Sequence, residues 1–165
     1  MATSDRRHLQ PPGTTIFTRV GLGAVLVVLA GFGHIAWGLM ILLRSFTDAE
    51  LRLNPQHAGS TPEQVWALSP DLYGYIVHLQ VVLAGYVTAF GVAAIVLAWY
   101  GIRRGERWAL WTTLASAVIT AVVAVPLNYP YGVGTLGHLG LHYLGALTLL
   151  GGTALAYSGL AEGEH

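Results

Sequence analysis

Apolar residues fall into four long runs, over residues 16–43, 72–101, 108–125 and 136–160, separated by shorter polar stretches. Once Arg19 is passed, none of the runs contains Lys, Arg, Asp or Glu. A helix of about 20 apolar residues crosses the ~30 Å hydrocarbon layer of a bilayer. Each run is long enough, or nearly so, and the pattern predicts an all-α protein, an integral membrane four-helix bundle.

Residues 1–15 read as a polar cytoplasmic tail and residues 161–165 as a second short tail. The Arg6-Arg7 pair ahead of an apolar run has the look of a secretory signal. The apolar stretch behind it is longer than a signal core, and no Ala-x-Ala-like cleavage site follows. A retained first helix is the better reading.

The connection between the first two runs is too long for a plain turn. Thr47-Asp48-Ala49-Glu50 and Thr61-Pro62-Glu63-Gln64 both place a hydroxyl three residues before Glu or Gln, the pattern of a capping box. Pro62 suits a first helical turn. The outer loop is therefore expected to be partly helical, with Val65, Trp66 and Leu68 at the membrane surface or over the bundle.

Composition agrees with the pattern. Of 165 residues, 54% are hydrophobic and 10% charged, against roughly 25% charged in a soluble domain. Without cysteine there are no disulfides, thiolate sites or cysteine nucleophiles. A net charge of zero and the lack of a basic tract exclude nucleic acid as a partner. The partners expected are membrane lipids, and a larger membrane complex or further copies of the chain.

Arginine placement sets the expected orientation. Arg103, Arg104 and Arg107 lie between the second and third runs, and Arg6, Arg7 and Arg19 precede the first. Positive charge is retained on the cytoplasmic side. A multi-pass protein of the cell membrane with both termini cytoplasmic follows.

Candidate chemistry rests on four histidines: His34, His78, His138 and His142. At 1.5 Å per residue, His34 is about 15 Å from Arg44, His78 about 10 Å from Asp71 and His142 about 10 Å from Thr135, so the three share one outer layer of the bilayer. His138 is one turn nearer the aqueous end, at about 5 Å. Each accompanies small residues: Gly31 and Gly38; Gly74, Gly85 and Thr88; Gly145 and Gly152. Small residues favour close helix contact in membranes, which predicts inward-facing imidazoles. In the third run Thr113, Ser116 and Thr120 read as packing support.

Three readings of this layer are open. Imidazoles from facing helices would hold haem or a transition metal, with His34, His78 and His142 as cofactor ligands and His138 joining a metal site. Alternatively, the histidines with Tyr75, Tyr143, other tyrosines and Asp71 would form a metal-free enzyme or binding pocket for a lipid, quinone or isoprenoid head group. In the third reading the histidines only bond helices together, within a structural accessory subunit. Whether the protein is an enzyme is left open.

The stretch Tyr100-Gly101-Ile102-Arg103-Arg104-Gly105-Glu106-Arg107-Trp108-Ala109-Leu110-Trp111 resembles the arginine-rich turn of small, uncharacterised bacterial four-span proteins of the DoxX-like kind. The resemblance implies a four-span layout and no catalytic residues.

Overall fold

The computed structural model describes residues 16–47, 59–131 and 136–163, with the side chains of residues 47, 124, 131, 137 and 138 outside the description. Five α-helices appear among them: α1 Arg19–Thr47, α2 Pro62–Leu68, α3 Pro70–Val96, α4 Arg107–Asn128 and α5 Leu136–Ala161. All but α2 are long and apolar enough to cross a membrane. The described residues hold no strand, so the fold is the expected all-α bundle.

Large apolar side chains cover its outer surface. Phe32, Leu39, Leu43, Tyr86, Ile119, Val122, Leu144 and Leu147 are all more than half exposed. In water such a surface would drive aggregation; against lipid it has no such cost. The exposed girdle and the four spans make this an integral membrane protein.

The central helix is α1, which packs along α3 on one side and α5 on the other. Both seams bring backbone against backbone at glycine. A Cβ on Gly91 would lie 2.5 Å from the Gly31 carbonyl oxygen, and one on Gly23 would lie 2.5 Å from that of Gly152. Any side chain at these points would push the helices apart. Helix α4 packs on α5 and meets α3 chiefly at their shared turn.

The buried core gathers at that turn. Val20, Ala24, Val27, Ala98, Ile102, Ala109, Leu110, Ala156 and Leu160 fill it, and Arg19 at the start of α1 pairs with Glu162 just beyond α5. The start of α1, the end of α5 and the α3–α4 turn thus share one end of the bundle. The opposite half is looser, which leaves room for a cavity.

Hydroxyls in the spans bond within their own helices. Thr88, Thr113, Thr120 and Thr153 each donate to the carbonyl four residues earlier. In an apolar medium this satisfies both groups without a partner helix.

Two local expectations resolve differently. The Thr61 box forms, since the Thr61 hydroxyl accepts from Gln64 N and the Gln64 side chain accepts from Thr61 N, and it starts α2. Trp66 of α2 then meets Tyr73 edge to face at 5.3 Å. Thr47 is the last described residue of α1, and the Thr47-Asp48-Ala49-Glu50 pattern runs into residues 48–50, which lie outside the described residues. Helix α4 also runs through Pro126 to Asn128 instead of stopping at 125. So near the end of a helix a proline forfeits one backbone bond, and its fixed φ still suits the helix.

Candidate functional site

The looser half contains a cavity of about 30 Å³ to which all four spans contribute. His34 comes from α1, Phe90 from α3, Thr120, Ala121 and Val125 from α4, and His142 and Ala146 from α5. A buried water needs roughly 10–15 Å³, so there is room for one or two waters or an ion. Drug-sized ligand pockets run to about 300–1,000 Å³.

His34 is the best-positioned group. Its Nδ1 lies 2.7 Å from the carbonyl oxygen of Ala30, one turn earlier on α1. A carbonyl only accepts, so Nδ1 carries the proton. In a neutral ring Nε2 is then left as a lone pair. Phe90 meets the ring edge to face at 5.0 Å. The Cε1–Nε2 edge abuts α5 at Gly145, where an added Cβ would lie 3.2 Å from Cε1 and 3.7 Å from Nε2. Glycine at 145 is what lets the imidazole sit in the seam.

His142 reaches the same cavity from α5 and meets Trp37 of α1 edge to face at 6.2 Å. Thr120 also lines it, and because its hydroxyl donates to the Ser116 carbonyl at 2.9 Å it keeps only acceptor capacity. The lining therefore offers lone pairs from His34 and Thr120. Such a site favours an electropositive occupant, a cation or an O–H donor, over a bare carbonyl.

The other residues singled out by spacing lie elsewhere. His78 is exposed on α3 and stacks on exposed Tyr75, with ring centroids 6.5 Å apart. Asp71 is exposed in the first turn of α3. The expectation of inward imidazoles therefore holds for His34 and not for His78, while His142 is exposed too, though it lines the cavity. On α3 the packing face is Ala84, Thr88 and Gly91, which meets Gly31 and Gly38 of α1. At about 100° per residue His78 lies roughly 120° round the helix from Ala84. Gly74 and Gly85 have nothing within 4 Å of where a Cβ would stand, so small size there does not mark a contact.

His138 lies in the first turn of α5, and its side chain is outside the described residues. Among the described residues no three His, Asp or Glu side chains gather as a metal site. Tyr143 is half-buried beside His142 in sequence, and its hydroxyl lies 3.0 Å from that of Tyr129.

No protein-family model, curated protein or solved structure matches the chain.

Spacing missed Phe90 and Trp37, and Thr120 was read only as packing. For Phe90 a signal existed, since it adjoins Gly91 on the face that α1 covers. Trp37 carried none. Tyr129 was one of the further tyrosines of the pocket reading, and it pairs with Tyr143.

A second groove, about 350 Å³, opens between α4 and α5 and is lined by Leu110, Trp111, Leu114, Leu150, Thr153 and Tyr157. Though larger, it is lined by no histidine, carboxylate or basic side chain. Chemistry therefore centres on the histidine cavity.

Proposed function

We propose that this chain is a small membrane-embedded metal-binding protein, with His34 and His142 taking one transition-metal ion at the cavity that the four spans line. The observation that supports the reading is the Ala30 carbonyl on His34 Nδ1. Ligating histidines characteristically donate their second nitrogen in this way, which orients the ring and raises its basicity. Imidazole suits Zn, Cu, Fe and Ni. Two protein ligands leave positions for water and for His138, the residue that the i, i+4 spacing adds to His142.

Haem is set aside on size, because the cavity holds one or two waters. An ion needs no larger space.

The test is metal content and cobalt titration of the detergent-purified protein. One ion per chain is expected, with Co²⁺ giving ligand-field bands, and binding should be lost in H34A/H142A and retained in H78A. A wild-type protein that takes up no stoichiometric metal would remove the reading.

The Tyr129–Tyr143 hydroxyl pair favours a second, metal-free reading. With one hydroxyl donating to the other, the pair keeps one O–H to donate to a lipid, quinone or isoprenoid head group. A copurifying lipid identified by mass spectrometry, lost in Y129F/Y143F and unaffected by chelator, would select it.

A further inference from the structure

The turn joining α3 to α4 is built more rigidly than a topology marker needs. After Val96 the helix widens into a π turn over Leu97–Gly101 and tightens into a 3₁₀ turn over Ile102–Arg104. Glu106 N then donates to the Gly101 carbonyl at 3.1 Å, and Gly105 N to that of Ile102 at 2.9 Å. This is a Schellman closure, with Gly105 left-handed at φ 77°. Gly101 and Ile102 are buried beneath it, against Ala109.

On this base stand three arginines within five residues, each preceded or followed closely by an aromatic ring. The Arg103 guanidinium lies 4.2 Å over the Trp99 ring and that of Arg104 5.7 Å from the Tyr100 ring. Arg104 and Arg107 are exposed, as are Trp99, Tyr100 and Trp108. A guanidinium held over a ring is positioned by it while keeping N–H groups that can reach an anion. Glu106 is the single acid in the turn, so the local charge is that of three arginines less one glutamate. The side chain of Glu106 makes no capping bond to the first turn of α4, whose helix dipole also favours an anion.

We infer that this turn binds the phosphate of an anionic phospholipid head group at the membrane surface. Exposed tryptophan and tyrosine belong at the level where head groups meet acyl chains, so the arginines stand at phosphate depth. An interfacial phosphodiester supplies two acceptor oxygens to a planar fork, and its acyl chains lie along the aromatic rings. Charge complementarity and depth together select a lipid over a soluble anion. The arginine rule assigns this end to the cytoplasmic leaflet, where anionic lipids concentrate.

The test uses the full chain in detergent, titrated with short-chain phosphatidylglycerol or phosphatidylcholine and read by tryptophan fluorescence and native mass spectrometry. Phosphatidylglycerol should bind more tightly than phosphatidylcholine. R104Q/R107Q should weaken it by about 25-fold, roughly fivefold per arginine, and E106Q should strengthen it. Equal affinity of the wild type for the two lipids, a comparison that needs no variant, would overturn the inference. Competition by millimolar inorganic phosphate as effective as that by the lipid would also overturn it, in favour of a free-phosphate site.

Discussion

The sharpest quantitative consequence of the fold concerns Gly91. Replacing it with alanine adds a Cβ 2.5 Å from the Gly31 carbonyl oxygen, 2.8 Å from Ile35 Cγ1 and 2.9 Å from Ile35 N. Two of these neighbours are backbone atoms of α1, so no rotamer change relieves the clash. An ordinary contact of about 3.4 Å requires the seam to open by nearly 1 Å, and overpacking of this kind costs about 1–3 kcal/mol. Alanine also gains up to about 1 kcal/mol of helix propensity over glycine. Gly85, on the same helix with nothing within 4 Å of its Cβ position, has the gain without the clash. The difference between G91A and G85A cancels propensity, and G91A should be the less stable by about 1–3 kcal/mol. Reversible unfolding in mixed micelles, or steric trapping in bicelles, measures it. Equal stability of the two variants would show that α1 and α3 do not meet at glycine, and the packing described here would be wrong.

Other predictions are more local. G145V, which would press on the Cε1–Nε2 edge of His34, should reduce metal occupancy as strongly as H34A while leaving both ligands present; unchanged occupancy would separate His34 from the site. T61A, which removes one half of the capping box, should cost α2 about 1 kcal/mol, seen as faster amide exchange over residues 62–68 with the spans unchanged. G105A should destabilise by about 1–2 kcal/mol, because a side chain at φ 77° is strained; stability equal to wild type would argue against the left-handed turn. Cysteines at Ser60 and Glu106 should label from opposite faces of the membrane, and labelling from one face would overturn the four-span topology.

The four spans were legible because a bilayer reads the chain as a one-dimensional filter: length and the absence of charge decide a helix before any packing does. The Thr61 cap was legible for a similar reason, since its chemistry is confined to four consecutive residues. Which way each span faces was not. In a soluble bundle an apolar stripe marks the buried face, but here both faces are apolar and the stripe vanishes. Small residues were the only substitute, and they misled on α3. Gly31, Gly38 and Gly91 lie in seams, whereas Gly74 and Gly85, equally small, face outward with His78.

Depth counted from the flanking polar residues misled as well. His34 and His142 line one cavity, but His34 is level with Phe90, and the twelve residues of α3 between His78 and Phe90 span about 18 Å of helix. His78 is thus set apart both by displacement along α3 and by rotation about its axis, fixed by the contacts of Ala84, Thr88 and Gly91 with α1. The same reasoning explains why the cavity sits where it does. Alanine and glycine close the α1–α3 and α1–α5 seams from Gly23 to Gly38, on both sides of the level where His34 meets Phe90, whereas α3 and α4 meet chiefly at their turn. The void therefore does not come from a splaying of α1 from its neighbours. It lies where α4, no longer held against α3, passes His34 and Phe90 with Thr120, Ala121 and Val125, so the separation of α3 from α4 beyond the turn is what leaves the cavity.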